Sequence, residues 1–215
     1  MPKPDAARLL AERDASQVAV VVVDVQTGLF NTEPPPFEGD EVMQRINHVT
    51  GRARSAGIPV FLIQHDGPPD GNWLAPFTEG WQLHPDLVQV QGDISIRKTT
   101  NDAFYGTDLD RQLRSRGVQS LVLTGYATEF CVDSTLRNAV SRDFEVFVIS
   151  DAHTTNDASG LPAASIRQYF NWTWSESSSP RGIHLLRAAE VRFRYAPGVV
   201  PANADASPTR FGFPR

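Results

Sequence analysis

Six consecutive apolar residues, Val18-Ala-Val-Val-Val-Val23, lead directly into an aspartate, Asp24. An unbroken, mostly β-branched run has no polar face to turn to water. It therefore suits a strand buried on both sides, as in the middle of a parallel sheet covered by helices. Other strand-like runs follow at Ile58 to Gln64, Ile94 to Arg97, Val118 to Thr124 and Glu145 to Ser150, with a last short one inside Gly182 to Phe193. Between them the spacing predicts helices: Asp40 to Ala56, Asp108 to Arg116, Thr128 to Arg142 and Leu161 to Trp172, with a short one in Ala6 to Ala15. Gly57 and Gly117 stand where helix C-caps belong. Strands alternating with helices predict an α/β fold, a three-layer, doubly wound, mostly parallel sheet with helices on both faces.

A chain of 215 residues with 40% hydrophobic content suits one domain with a full core. We assign that domain to residues 1–194 and read the Pro- and Gly-rich segment 195–215 as an irregular C-terminal arm, disordered or laid on a neighbouring subunit. The net charge of −5 comes without a Lys/Arg cluster, which argues against nucleic acid as a partner. No apolar run is long enough to span a membrane. The first residues, Met1-Pro-Lys-Pro-Asp5, lack the apolar core of a secretory signal, so the expected location is the cytoplasm. The single cysteine, Cys131, excludes an internal disulfide framework, and the five histidines show no helical metal-ligand spacing.

In an open parallel sheet, ligands bind beyond the carboxyl ends of the strands. That rule selects Asp24, the pair His65 and Asp66, Lys98, Cys131, and Asp151 with His153. Asp24 ends an apolar strand, where partial desolvation suits a carboxylate to proton transfer. Cys131 stands in the strand, turn and helix start Leu121 to Thr135, where a helix N-terminus biases a thiol toward the thiolate. Each of these residues alone has a structural role open to it: a turn aspartate, a surface lysine, a small buried thiol. Together they supply a base (Asp24), a fixed cation (Lys98) and a nucleophile (Cys131). The turn Thr124 to Thr128 can direct backbone N–H groups at a substrate oxygen.

These segments resemble the isochorismatase-like cysteine hydrolases, the group that includes nicotinamidases and N-carbamoylsarcosine and ureidoacrylate amidohydrolases. The matching pieces are Val22-Val-Asp-Val-Gln26, Arg97-Lys98 followed by Phe104-Tyr-Gly-Thr-Asp108, Leu123-Thr-Gly-Tyr-Ala-Thr-Glu-Phe-Cys-Val-Asp133, and Val148-Ile-Ser-Asp-Ala-His153. The resemblance spans about residues 17 to 193 and implies a six-stranded parallel sheet with an Asp24, Lys98, Cys131 triad. It also implies a cis peptide between Tyr126 and Ala127, turning the N–H groups of Ala127 and Cys131 toward a substrate oxygen. Nicotinamidases place an Asp and His cluster after the second strand. Here Gln64-His-Asp66 is followed only by His84, so no metal and no cofactor is expected.

The expected activity is hydrolysis of a C–N bond of a small-molecule amide through a thioester, and a homo-oligomer, dimer or tetramer, is expected. Candidate substrate contacts are Gln26, Phe30, Trp81, Phe104, Tyr105 and Tyr126, with Trp73 and Asn171 behind them. For each aromatic, core packing is an equally available role. The alternative is a catalytically idle, or non-amide-acting, small-molecule binding member of the fold.

Overall fold

A computed structural model describes residues 5–70, 73–158, 160–196 and 198. The strands are β1 (Val18–Val23), β2 (Val60–His65), β3 (Ile94–Lys98), β4 (Ser120–Tyr126), β5 (Glu145–Thr154) and β6 (Ile183–Leu186). The helices are α1 (Ala6–Glu12), α2 (Thr27–Phe30), α3 (Gly39–Ser55), α4 (Leu109–Ser115), α5 (Asp133–Ser141) and α6 (Ala163–Glu176). The strands form one sheet in the order β3-β2-β1-β4-β5-β6, and every neighbouring pair is parallel. Among the described residues no helix is long and apolar enough to cross a membrane. Of the C-terminal arm expected at 195–215, residue 197 and those from 199 on lie outside the described residues.

β1 shows why its sequence admits no polar residue. Val18, Val20 and Val22 face one core with Val42, Ile46, Val49 and Ala53 of α3. Ala19, Val21 and Val23 face the other, with Leu109 and Leu113 of α4, Leu136 and Ala139 of α5, and Trp174 of α6. Successive side chains of a strand point to opposite faces, so a strand between two helical layers must be apolar throughout.

The order of strands reverses between β1 and β4, the place where doubly wound sheets open a crevice. Val23 of β1 pairs with Gly125 of β4 at that point. Gly125 has φ +122°, and a Cβ there would lie 2.1 Å from the Val23 carbonyl oxygen. No other residue fits both the conformation and the space. The glycine therefore brings the turn after β4 directly against the end of β1.

Three boundaries differ from the sequence reading, each for a local reason. The helix expected from Thr128 to Arg142 divides into a wide π turn, Thr128–Val132, and α5. β5 continues past Ser150 to Thr154, with a register shift against β4 between Leu123 and Gly125. α6 continues to Glu176, so Trp172 and Trp174 lie within the helix; Trp174 is fully buried and donates from Nε1 to Asp133 Oδ1 at 2.7 Å. The long loop after β2 is tied to the start of α2 through Gly28 N–H to Gly80 O and Thr27 N–H to Gln82 O, both 2.8 Å.

At the amino ends of the strands, Glu145 joins four elements. Its carboxylate accepts from Arg13 Nε (2.7 Å) and Nη2 (2.6 Å), Ser120 Oγ (2.7 Å) and His184 Nε2 (3.1 Å). Burial pushes its carboxyl up, but the hydrogen bonds from His184, Arg13 and Ser120 outweigh this and hold it down at about 2, against 4.5 unperturbed.

Two predictions follow from this architecture. Gly125→Ala should lower unfolding stability by roughly 3 kcal/mol or more, read from the urea midpoint, because its Cβ meets backbone rather than a movable side chain. A loss below about 1 kcal/mol would contradict the close approach at the β1–β4 junction. For Glu145, the folded carboxyl is depressed, so its stabilisation is present above 4.5 and is lost as the pH falls from 4.5 toward 2. Glu145→Gln should flatten the fall in stability across that window, followed by circular dichroism.

Candidate active site

Asp24 follows β1 with φ +49°, a left-handed conformation that costs a non-glycine residue about 1–2 kcal/mol and that Asp tolerates better than most. Lys98 ends β3, beside His65 at the end of β2 in the strand register. Cys131 lies in the π turn after β4. β1 and β4 are neighbours and β3 lies two strands from β1, so the three meet over the carboxyl edge of the sheet.

The Lys98 ammonium is the centre of the cluster. Its Nζ lies 2.6 Å from Asp24 Oδ2, 2.9 Å from the Thr100 carbonyl, 3.1 Å from His65 Nδ1 and 3.3 Å from Cys131 Sγ. Both charged side chains are almost wholly removed from solvent, at 0% and 1% exposure. An ammonium has no lone pair, so His65 Nδ1 is the acceptor of its contact with Lys98 and the imidazole is neutral on that side. Burial first, and then the Lys98 charge, push His65 below its ordinary value.

Asp24, His65 and Cys131 bring one ligand atom each within 4.8 Å of one another, the donor set of a metal site. The same space holds the Lys98 ammonium. A metal ion on these three groups would have to displace that cation from Asp24, so the residues do not fit a resident metal.

Burial pushes the Asp24 carboxyl up, with the Lys98 charge and the Cys131 thiol opposing. Burial, and then the Asp24 charge, push the Cys131 thiol up to about 12. This corrects the expectation of a resting thiolate. The π turn places the sulfur beside Asp24 and Lys98, where burial, and then the neighbouring carboxylate, outweigh the pull of the ammonium. The resting site is a neutral thiol beside a buried ion pair.

The Tyr126–Ala127 peptide is cis. Ala127 is buried, and among the described residues its N–H donates no hydrogen bond. Its carbonyl accepts from the N–H groups of Phe130 and Val132, both at 3.1 Å, one on each side of Cys131. Thr128, expected as a helix cap, instead places Oγ1 2.8 Å from His153 Nδ1. His153 Nε2 lies 3.0 Å from Asn171 Oδ1, and the Asn171 amide donates to the Ser150 carbonyl at 2.9 Å. Burial pushes His153 down to about 4. His153 and Asn171 thus support the turn from below.

The remaining sequence candidates separate by contact. Gln26 is fully buried and its amide is spent: Nε2 donates to the carbonyls of His65 (3.0 Å) and Trp81 (2.9 Å), and Oε1 accepts from His65 N–H (2.8 Å). It holds the cluster in place and has no polar atom left for a substrate. Phe104 lies in the core, stacked on Phe144 at 5.9 Å. Trp81 is buried, donating to Asp66 Oδ1 at 2.7 Å with the Arg97 guanidinium over its ring at 5.1 Å. Tyr105 is 65% exposed. Phe30 and Tyr126 face each other at 5.8 Å, and Tyr126 Oη donates to Asn156 Oδ1 at 2.8 Å. Beside Phe30 runs a surface groove lined by Asn31, Glu38, Asp40, His84 and Asp86; no triad residue lines it.

Sequence reasoning missed His65 as the neighbour of Lys98, and Asn101, whose Oδ1 lies 3.6 Å from Cys131 Sγ. Strand register could have found the first, because His65 and Lys98 end adjacent parallel strands. Asn101 lies on an exposed loop with no periodic signal.

Comparison with known proteins gives the family. Residues 18–177 match the family model of the isochorismatase domain. An uncharacterised isochorismatase-family protein, YecD of Escherichia coli O157:H7, is 35% identical over 177 residues, covering 75% of this chain and 88% of that protein. A streptothricin hydrolase of Streptomyces noursei is 34% identical over 192 residues, covering 86% and 67%. The crystal structure of N-carbamoylsarcosine amidase from Thermoplasma acidophilum superposes with a TM-score of 0.68 at 23% identity, covering 82% of this chain and 99% of that one, a likeness of fold. With most of the chain matched by the domain model, the chain belongs to the isochorismatase family.

Proposed function

We propose that the protein is a metal-independent cysteine amidohydrolase that cleaves a C–N bond of a small molecule through a thioester. The observation that carries this reading is the buried cluster in which Lys98 Nζ touches both Asp24 (2.6 Å) and Cys131 Sγ (3.3 Å). Two relatives named for amide chemistry or hydrolysis, a ureidoacrylate amidohydrolase of Methylobacterium radiotolerans and the streptothricin hydrolase, support it.

In this reading Asp24 removes the thiol proton as the sulfur attacks the carbonyl carbon. A thiol held at about 12 stays protonated at rest and becomes a thiolate only as Asp24 takes its proton. Lys98 remains charged and stabilises the thiolate once it forms. The carbonyl oxygen becomes an oxyanion, received by the N–H groups of Ala127 and Cys131. Asp24 returns its proton to the leaving nitrogen and the C–N bond breaks, leaving Cys131 acylated. Water, deprotonated by Asp24, attacks the thioester and releases the acid and the thiol. Phe30, Tyr126 and Tyr105 are the substrate contacts retained in this reading. We further read the enzyme as cytoplasmic, since a free nucleophilic thiol survives best in a reducing compartment. We read it also as a homo-oligomer, since Tyr169 and Trp172 are exposed side by side on α6, 5.9 Å apart.

A screen of small amides for ammonia or amine release tests the class. With any substrate found, Cys131→Ala should abolish turnover while leaving the thermal transition in place, and mass spectrometry of quenched wild type should show one acyl group on Cys131. An active Cys131→Ala enzyme would sink the mechanism. Asp24→Asn should lower kcat by about 10²–10⁴-fold, the scale of a lost general base. Asp24 must be ionised to act and burial raises its pKa, so kcat/KM should fall with acidification at a pH above the ordinary carboxylate range. A flat profile down to pH ~4 would contradict its role as base.

A further inference from the structure

Glu129 lies two residues before Cys131 in the same π turn. Its Oε1 accepts from Thr155 Oγ1 at 2.8 Å. Its Oε2 is shielded from solvent and has no hydrogen-bond partner among the described residues. A shielded carboxylate oxygen ordinarily finds a donor, because leaving it bare is costly. The one lysine of the cluster is not available to it, since Lys98 is held by Asp24 at 2.6 Å. Asp24 and Lys98 cancel in charge, so Glu129 leaves the turn around Cys131 with a net negative charge.

The surroundings suit a cation. Tyr126, three residues before Glu129, lies with its ring 5.8 Å from that of Phe30, and its hydroxyl reaches Asn156, the neighbour of the Thr155 that Glu129 accepts from. Aromatic faces beside a carboxylate are a common receptor for an ammonium or amidinium group. Nearby polar groups are already engaged: Tyr126 Oη donates to Asn156, and Asn156 Nδ2 donates to Thr32 Oγ1 at 3.0 Å and the Pro34 carbonyl at 2.9 Å. Within the π turn itself, the shielded side-chain acceptor without a partner among the described residues is Glu129 Oε2.

We propose that Glu129 determines specificity by receiving a cationic nitrogen, an ammonium or amidinium, carried by the substrate close to the bond that is cut. The role of this group as substrate rests on the hydrolase reading above; the charge preference at Cys131 does not.

The test uses thiol-labelling reagents of opposite charge, so it needs no substrate and no turnover. In each, the Cys131 thiolate displaces methanesulfinate from a methanethiosulfonate and forms a mixed disulfide. Cys131 is the only cysteine, so added mass reports one site. The full-length protein should react roughly tenfold or more faster with the 2-aminoethyl (cationic) reagent than with the 2-sulfonatoethyl (anionic) one, relative to the same ratio on free cysteine. Glu129→Gln, which keeps the shape and the Thr155 contact, should bring that ratio back near the free-cysteine value. Benzamidine should slow labelling of the wild type and not of the variant. An unchanged ratio in Glu129→Gln would overturn the proposal, as would a wild type that prefers the anionic reagent, an outcome readable even if the variant does not fold. Loss of amide turnover in every screen, with the charge preference intact, would count against the hydrolase reading alone.

Discussion

The contact on which this site depends is the ion pair between Asp24 and Lys98, 2.6 Å long and almost wholly withdrawn from water. Two bare charges in such a place would be expensive, and their attraction repays the cost only when further hydrogen bonds complete the shell. The structure supplies some of these. The Thr100 carbonyl and His65 Nδ1 accept from the ammonium, and the thiol sits against both charged groups. Removing either partner would strand the other. Burial first, and then the Asp24 charge, keep the sulfur protonated at rest against Lys98's opposing pull.

The fold reads as the means of assembling that pair. β1 is apolar on both faces because helices cover both, so Asp24 is the first residue at which the chain can turn a charge toward the crevice. Gly125 lets β4 lie against β1 at the level of Val23, which carries the Tyr126–Ala127 peptide and the π turn across to Asp24. Gln26 spends its whole amide on the His65 backbone and the Trp81 carbonyl, fixing the end of β2 and the long loop beside the cluster. His153 and Asn171 brace the same turn from β5 and α6. Strand ends and a braced turn thus hold the three groups of the cluster.

Much of this was legible in the residues. The alternation of apolar runs with helical spacing marks a parallel doubly wound sheet, and the rule of carboxyl strand ends puts Asp24, Lys98 and Cys131 on a short list with His65, Asp66, Asp151 and His153. Contact chemistry was not legible. Gln26 and Phe104 sit beside matching motifs, yet one is spent on backbone and the other is packed on Phe144. Tyr126 and Phe30 face each other, which no spacing in the chain announces.

What the sequence by itself determined is local: which segments must be buried, where they end, and which reactive groups stand at those ends. Periodicity and polarity are properties of neighbours in the chain, so they can be read there. Only the tertiary structure decided the state and company of those groups. The Cys131 thiol is protonated because it is buried, and because a carboxylate 107 positions away in the chain is brought beside it. His65 reaches Lys98 only through strand register, and Glu129 Oε2 is shielded without a hydrogen-bond partner among the described residues. Burial and long-range charge depend on which strands become neighbours, and that is settled by packing rather than by any stretch of residues.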